Sequence, residues 1–216
     1  MKFKWYDTAS WRFITSKGTR IITDPFFSKY VPDGPPPAFM DNRTGVDDEA
    51  DLVTITHPHF DHSSVTDVKG VFQLYTCGGP FQFRDVKLHS IRTWHDNYGD
   101  YGRIINSVII YEADDMRIIH MGDYGQDYLY DEQLEQIEQI GKIDILFTPW
   151  GTWTKALVDQ LKPKLIFPMH HAHPDDYMRS LNYTQLNVSE VEYTPATLPR
   201  QMKCFMLKGC RAGANT

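Results

Sequence analysis

The sequence predicts an α/β fold built around β-sheet, and two observations favour this class. Short apolar runs alternate with turn residues over most of the 216 residues, and two longer segments have the apolar spacing of amphipathic helices. Strands dominate the first half, and strand–helix–strand units follow in the second. That order is typical of sheets with helices on their outer faces. Because this length suits one sizeable core, we expect a single domain over residues 1–216.

The strands are predicted from runs rich in Val, Ile, Phe, Tyr and Thr, which pleated surfaces favour. They cover residues 2–6, 11–15, 19–23, 52–56, 71–76, 86–93, 107–112, 117–121, 143–148, 165–169 and 202–207. Turn residues at 16–18 and 113–115 predict hairpins between two pairs of neighbouring strands.

The first helix is predicted from apolar residues at near-helical spacing, which are Tyr130, Leu134, Ile137 and Ile140. Asp127 or Asp131 would cap its start, because a carboxylate can accept hydrogen bonds from the first free amides of a helix. Gly141 would end it, since glycine favours the left-handed conformation found after many helices.

The second helix is predicted from residues that lie four apart, which are Trp153, Leu157 and Leu161. Thr152 or Thr154 would cap it, and Pro163 would end it, because proline cannot continue a helix. A short helix is also expected after His62, capped by one of the two serines that follow.

Composition narrows the function classes. Hydrophobic residues make up 41% and charged residues 23%, an ordinary globular balance, and the net charge of −6 disfavours nucleic acid as a partner. No apolar run reaches the length of a membrane span, and residues 1–13 lack the apolar core of a signal peptide. The three cysteines have no CxxC spacing. We therefore expect a cytoplasmic protein that acts on a small molecule and not at a membrane.

The segment 54–62, Thr-Ile-Thr-His-Pro-His-Phe-Asp-His, has the composition of a metal site. His57 and His59 are two residues apart and can point to the same side of an extended chain, while Asp61 and His62 fall on the following turn. One tetrahedral ion would not readily accept all four ligands from so tight a loop, which favours two ions. Histidines also cluster by chance on protein surfaces, but four ligand-type residues directly after a buried strand weaken that alternative.

Three later residues lie just beyond the carboxyl ends of predicted strands, where open α/β sheets collect functional groups. His95 follows the strand 86–93, Asp123 follows the strand 117–121, and His170 follows the strand 165–169. Each alone is explained as well by a structural role. Together with the segment 54–62 they supply enough ligands for two ions.

These motifs resemble the metallo-β-lactamase superfamily. The resemblance rests on HxHxDH at 57–62, the single His95, HMGD at 120–123 and PMHH at 168–171, and it covers residues 1–208. With TDPF at 23–26, the chain is similar to the small stand-alone branch of metal-dependent hydrolases that includes relatives of ascorbate-6-phosphate lactonase. The resemblance is specific for fold and metal and weak for substrate.

The resemblance implies a four-layer αββα sandwich with a two-metal site at one edge. It places His57, His59 and His95 at the first ion and Asp61, His62 and His170 at the second, with Asp123 bridging both. His59 stands where the di-iron, oxygen-reducing branch usually has glutamate, which favours zinc, or another divalent metal such as Mn²⁺, over a redox iron pair.

The expected reaction is hydrolysis by a hydroxide that bridges the two metals. Zinc lowers the pKa of bound water to about 7, so a hydroxide is available at neutral pH to attack a carbonyl or phosphoryl centre. Asp61 would bind metal and orient this nucleophile. A small ester, lactone or phosphorylated metabolite is the expected substrate. A phosphodiesterase or nuclease and a non-catalytic metal-binding protein are the alternatives.

Four further residues are candidates for supporting the metals or contacting substrate. Asp24 could accept a hydrogen bond from a metal-binding imidazole, although a turn role before Pro25 is equally reasonable. His120 could approach the site, but a core histidine is the stronger interpretation. Arg103 suits an anionic substrate, and Trp150 could line the pocket, although Trp more commonly packs in a core.

Two questions stay open from the sequence alone. His171 would replace His170 as a ligand if the strand register differs, because consecutive strand residues face opposite ways. The Pro-rich segment 28–48 could be a lid, a contact between copies of the chain or a plain surface loop.

Overall fold

The computed structural model describes residues 1–26, 45–95, 104–151, 153–170 and 181–209, which form two β-sheets and two α-helices. The strands are β1 (Lys2–Asp7), β2 (Ser10–Ile14), β3 (Arg20–Thr23), β4 (Leu52–Thr54), β5 (Gln73–Tyr75), β6 (Phe81–Phe83), β7 (Val86–Trp94), β8 (Ile105–Ala113), β9 (Met116–His120), β10 (Ile145–Pro149), β11 (Leu165–Met169), β12 (Thr184–Gln185), β13 (Glu190–Glu192) and β14 (Lys203–Met206). The helices are α1 (Asp131–Ile140) and α2 (Thr154–Leu161).

Both sheets are mixed. The six-stranded sheet has the order β13-β1-β2-β3-β4-β5 and becomes parallel from β3 onward. The eight-stranded sheet has the order β12-β14-β11-β10-β9-β8-β7-β6 and is parallel from β12 to β9. Because β8 is antiparallel to both of its neighbours, β7 runs in the same direction as β9, β10 and β11. The carboxyl ends of these four strands therefore meet at one edge.

The main core lies between the two sheets and is rich in aromatic side chains. Trp11 and Phe13 of the first sheet contact Phe147 of the second, with ring centroids 4.5 and 5.2 Å apart. Phe3 and Phe167 complete this group, and all five side chains are fully buried. Full burial of each such ring contributes about 1.5–3 kcal/mol.

A second apolar cluster covers the outer face of the eight-stranded sheet, where Ile137 of α1 and Leu157 of α2 pack against strand residues. A third covers the outer face of the six-stranded sheet, and its described members come from the strands, from Phe26 and from residues 46–72, which contain no helix. The α/β composition agrees with the expected class, while the four-layer arrangement stays a prediction.

Most predicted strands are present, and the differences fall at exposed positions. The strand predicted at 71–76 is shorter, because Val71 is 98% exposed and only residues 73–75 pair with β4. Strands β6, β12 and β13 were not predicted, since they have two or three residues each and little buried surface. Such short edge strands form because a neighbour offers backbone partners, and that information is absent from local periodicity.

The caps predicted at Asp127, Asp131 and Thr154 were wrong, and the one predicted at Thr152 lies outside the described residues. The predicted ends of both helices are confirmed. Tyr130 is the N-cap residue of α1. The Gln133 side chain accepts a hydrogen bond from the Tyr130 amide at 3.0 Å and so satisfies this end of the helix. Trp153 occupies the equivalent position in α2 and makes no side-chain cap. Gly141, with φ of 125°, is the C-cap residue of α1, and α2 ends at Leu161, with Lys162 as its C-cap residue before Pro163.

The short helix predicted after His62 does not form, because its groups bond elsewhere. The Ser63 hydroxyl donates back to the His59 carbonyl at 2.9 Å, and the Ser64 amide donates to the Pro25 carbonyl at 2.8 Å. Tertiary hydrogen bonds thus replace the helical ones in this segment.

We expect the partly buried ion pair of Asp51 and Arg20 to make the fold sensitive to acid. A hydrogen bond from Arg20 lowers the pKa of the Asp51 carboxyl to about 2, although burial alone would raise it. The lowered pKa means that this pair stabilises the fold above about pH 4 and stops doing so as the pH falls toward 2. The shift corresponds to at most about 2.5 kcal/mol, and partial exposure of Arg20 reduces it to about 1–2 kcal/mol.

The change Asp51→Asn tests this prediction in urea unfolding between pH 7 and pH 3. The difference in unfolding free energy from the wild type should be about 1–2 kcal/mol at pH 7 and should shrink as the pH approaches 3. Glu49→Gln is the control, since Glu49 pairs with the same guanidinium but its side chain is 61% exposed. A difference for Asp51→Asn that is constant with pH would contradict the assignment.

Neither described helix has the length and apolarity needed to cross a membrane. Arg103, His171 and most of the segment 28–48 lie outside the described residues, so the expectations placed on them stay predictions.

Candidate metal centre

The seven side chains expected to bind metal meet at the edge where parallel strands end. His57 to His62 lie on the loop after β4, His95 follows β7, Asp123 follows β9 and His170 follows β11. The common direction of β7, β9 and β11 brings the last three together from distant parts of the chain. Loops after strands of one direction therefore build the centre.

The side chains form two neighbouring groups with the spacing of metal ligands. In the first group, one candidate ligand atom from each residue lies within 4.8 Å of the others, and its members are His57, His59, His95 and Asp123. The second group meets the same criterion and consists of Asp61, His62 and His170.

Asp123 lies between the two groups. Its Oδ2 atom is 3.2 Å from His95 Nε2 in the first group, and 3.2 and 3.5 Å from His62 Nε2 and His170 Nε2 in the second. Asp61 is closer to the second group, with Oδ2 3.4 Å from His170 Nε2 and 3.7 Å from His62 Nε2. This geometry suits a carboxylate shared by two cations and a second carboxylate beside one of them.

The centre is buried on one side and open on the other. The side chains of His57 and His62 are fully buried, whereas His95 and His170 are 23% and 32% exposed. A substrate would therefore approach past His95 and His170.

The electrostatic environment suits cations. Burial, together with the nearby charge of His62, lowers the pKa of His57 to about 3, so this imidazole is neutral and its lone pair is available. Burial would raise the pKa of Asp123, but the charges of His62 and His170 hold it well below its usual range. Burial would lower the pKa of His62 and His170, but the charge of Asp123 raises it. A cation would take the place of these protons, because imidazole nitrogens and carboxylates are donors that Zn²⁺ prefers once deprotonated.

The hydrogen bonding of this centre also fits a metal. His57 Nδ1 lies 3.1 Å from the Thr56 hydroxyl, while His57 Nε2 is buried and has no hydrogen-bond partner. Asp123 Oδ1 is likewise buried and without a partner. Buried polar atoms are nearly always satisfied, and a bound metal ion would satisfy both of these.

Asp24 holds two residues of the loop after β4, Thr56 and the proposed ligand His62. Its Oδ2 atom accepts hydrogen bonds from His62 Nδ1 at 2.9 Å and from the Thr56 hydroxyl at 2.7 Å, and its Oδ1 atom accepts one from the Thr56 amide at 2.8 Å. This fixes the orientation of the His62 ring and leaves Nε2 to face Asp123. Of the two roles considered for Asp24, its contacts therefore match the imidazole partner.

His120 holds the turn that carries Asp123. It is fully buried, its Nε2 lies 2.8 Å from the Ala9 carbonyl, and its Nδ1 accepts a hydrogen bond from the Gly122 amide at 3.2 Å. Burial lowers its pKa and favours the neutral form that can do both. Since both ring nitrogens are in use, His120 has none left for substrate.

Asn106 was not predicted from the sequence. Its Oδ1 atom accepts a hydrogen bond from the Asp123 amide at 3.1 Å, and its Nδ2 donates to the Met121 carbonyl at 2.8 Å and to the Thr93 hydroxyl at 2.9 Å. It thus orients the backbone on both sides of Gly122. The only sequence signal was a buried-strand position occupied by an amide instead of an apolar residue.

Several residues at the centre adopt the left-handed conformation that non-glycine residues rarely use. Asp24 has φ of 45°, His170 has 50° and Thr8 has 46°. The Thr8 carbonyl accepts the His170 amide at 3.1 Å, so the turn between β1 and β2 holds His170 in place. Such strain is concentrated at functional sites in many proteins.

Trp150 packs in the apolar cluster beneath the helices and is 6% exposed. Packing accounts for its burial, so we do not include it among the groups proposed to contact substrate.

Two sheets with a His/Asp centre at their carboxyl edge define a protein of the metallo-β-lactamase type. Residues 2–170 match the family model of the beta-lactamase superfamily domain. The chain therefore belongs to the beta-lactamase superfamily, and its relatives are metal-dependent hydrolases.

Two curated relatives and one crystal structure illustrate this similarity. A UPF0173 metal-dependent hydrolase of Thermococcus onnurineus is 25% identical over 202 residues, covering 79% of this chain and 84% of its own. One of Thermus thermophilus is 29% identical over 190 residues, covering 73% and 78%. A candidate Zn-dependent hydrolase of Thermotoga maritima superimposes with a TM-score of 0.69 at 27% identity, covering 95% and 97%.

Proposed function

We propose that this protein is a binuclear metal-dependent hydrolase of a small ester, lactone or phosphorylated metabolite. The single observation that supports two ions best is the position of Asp123 Oδ2, which lies within 3.8 Å of imidazole nitrogens from both ligand groups. In this proposal His57, His59 and His95 hold one ion, Asp61, His62 and His170 hold the other, and Asp123 contacts both.

Two divalent ions would supply a water of lowered pKa and a positive charge that polarises the carbonyl or phosphoryl oxygen of the substrate. The all-nitrogen-and-oxygen donor set, with His59 in place of glutamate, favours Zn²⁺, with Mn²⁺ as the second choice. The other contributions to the reaction come from side chains of this chain.

Asp61 is the proposed catalytic residue. Its side chain is 15% exposed at the boundary between the buried ligands and the open side of the centre. Burial would raise its pKa, but the hydrogen bond and charge of His170 lower it, so the carboxylate is ionised at neutral pH. Asp61 Oδ2 can therefore bind the second ion and orient an attacking water. His62 Nε2, whose ring is fixed by Asp24, lies 3.7 Å from this Oδ2 atom.

The alternatives fit less well. A nuclease needs cationic contacts to the phosphate backbone, and the net charge of −6 offers no general attraction for nucleic acid. A non-catalytic metal-binding protein would be expected to lack a ligand, whereas all seven candidates converge. The single-domain organisation, the cytoplasmic location, the four-layer sandwich and a small-molecule substrate belong to this proposal. Self-association is left open.

Chelation and two substitutions test the proposal on a panel of chromogenic esters, lactones, phosphodiesters and β-lactams. Against the best substrate, we expect EDTA to abolish hydrolysis and Zn²⁺ to restore it. Asp61→Ala and His95→Ala should each lower kcat/KM by at least about 100-fold, because each removes a proposed metal ligand and Asp61 also orients the attacking water. Hydrolysis that survives the chelator and both substitutions would mean that the chemistry occurs elsewhere.

A further inference from the structure

A buried pair of glutamine side chains connects two segments that carry proposed ligands. Gln126 lies three residues after Asp123, and Gln133 lies in the first turn of α1. Their amides face each other, with each Nε2 3.1 Å from the Oε1 of the other. Gln126 is fully buried and Gln133 is 8% exposed, so this polar pair sits in an interior position.

The pair also binds the backbone at the end of β7. Gln126 Oε1 accepts a hydrogen bond from the Trp94 amide at 2.9 Å, and Gln133 Nε2 donates to the Arg92 carbonyl at 2.8 Å. A backbone bond from the Gly125 amide to the Trp94 carbonyl, at 3.0 Å, lies beside them. The residue that precedes His95 is therefore held at both its amide and its carbonyl.

The remaining bonds of the pair fix the start of α1. Gln126 Nε2 donates to the Tyr128 carbonyl at 3.2 Å, and Gln133 Oε1 accepts from the Tyr130 amide at 3.0 Å. Each amide thus uses two donor and two acceptor positions, which is its full capacity. A buried polar network that is completely satisfied makes its surroundings rigid.

The position of the pair explains why amides are needed there. β6 pairs with β7 only at residues 86–88, while β8 covers the other edge of β7 as far as Trp94. The open edge at Arg92 and Trp94 would otherwise leave partly buried backbone groups without partners, which is costly. The two glutamines satisfy these groups in place of a neighbouring strand.

We infer that Gln126 and Gln133 are positioning residues that set the spacing between His95 and Asp123. Asp123 and the segment 125–126 follow β9 on one side, and His95 follows Trp94 on the other, with His95 Nε2 3.2 Å from Asp123 Oδ2. Loss of the pair would release the end of β7 and disturb the first ligand group. This inference rests on the proposed metal centre for its effect on affinity, but the positioning itself concerns the metal-free protein.

The test compares Gln126→Met with Gln160→Met, two substitutions of similar volume. Gln160 is a matched control, because its side chain also binds backbone twice, at the Leu129 amide and carbonyl, both at 2.9 Å, without touching a ligand-bearing strand. Gln133→Met is the second variant if Gln126→Met does not fold. It keeps the bond to Trp94 and should give a smaller effect in the same direction.

Two readouts are measured for each variant. Amide exchange of His95 in the metal-free protein reports positioning, since this amide bonds to the Ile104 carbonyl and not to the pair. We expect it to be about tenfold faster in Gln126→Met. Zn²⁺ affinity, measured by competition with a chelator, should fall about 10–100-fold, as is usual when support for a ligand is lost. Gln160→Met should leave both within about twofold of wild type.

The outcomes separate the two proposals. Unchanged His95 exchange in Gln126→Met, or equal effects of Gln160→Met, would overturn the positioning role and leave the proposed function intact. Faster exchange of the His95 amide with unchanged Zn²⁺ affinity would overturn the inference that the pair sets the spacing between His95 and Asp123. A wild-type protein that binds no Zn²⁺ would overturn the proposed function, and the exchange data would still decide the positioning role.

Discussion

Asp123→Ala is expected to remove metal from both ligand groups, whereas loss of any other single ligand should affect one group more than the other. The reason is that Asp123, a member of the first group, also lies beside the second, with Oδ2 3.2 Å from His95 Nε2 and 3.2 Å from His62 Nε2. Without this carboxylate, the two proposed ions would share no anionic ligand. We expect Zn²⁺ affinity to fall at least about 100-fold and kcat/KM at least about 1,000-fold.

Metal content after dialysis against a weak chelator, together with kinetics on the best chromogenic substrate, measures this effect. Asp123→Asn keeps the volume and tests the charge alone, so it should resemble Asp123→Ala. Glu132→Gln, an exposed position in the first turn of α1, is the control and should bind metal as the wild type does. An Asp123→Ala protein that retained close to two ions per chain would show that Asp123 does not bridge them.

Gly122→Ala adds only one methyl group, but it should destabilise the fold strongly. Gly122 has φ of 58°, and an added Cβ atom would lie 2.6 Å from the Thr56 hydroxyl oxygen, 2.7 Å from Thr56 Cβ and even closer to Asn106 Oδ1. Neither neighbour can move cheaply, because Thr56 bonds to Asp24 and Asn106 bonds to the Asp123 amide. We expect a loss of about 3 kcal/mol of unfolding free energy, from a left-handed alanine and overpacking together.

Gly18→Ala separates the two contributions. Gly18 also has a positive φ, of 86°, but an added Cβ atom would meet nothing within 4 Å. It should lose only about 1–2 kcal/mol in urea unfolding and keep normal metal affinity, whereas Gly122→Ala should also bind metal more weakly. Equal losses in the two variants would contradict the close packing around Gly122.

The convergence of the seven side chains could be predicted because most of its sequence signals are local. The segment 54–62 places four ligand-type residues within a few positions of each other, and β4, β9 and β11 are apolar runs whose ends are easily located. The convergence of His95, Asp123 and His170 could be anticipated because the ends of parallel strands share an edge. The structure brings the seven side chains together at this edge.

The support around the centre could not be predicted in the same way. Asn106, the Gln126–Gln133 pair and the Thr8 carbonyl act through contacts between residues that are distant in the chain, and none belongs to a recognisable motif. The helix expected after His62 failed for a related reason, since the Ser64 amide bonds to Pro25 instead of continuing a helix. Tertiary hydrogen bonds determine the structure at such positions, and the local periodicity of the sequence does not reveal these bonds.

Anomalous X-ray diffraction at the zinc edge, from crystals grown with Zn²⁺, tests the central claim most directly. Two peaks should appear about 3.5–4 Å apart, one among His57, His59 and His95 and the other among Asp61, His62 and His170, with Asp123 reaching both. A single peak, or density away from these imidazoles, would contradict a binuclear centre.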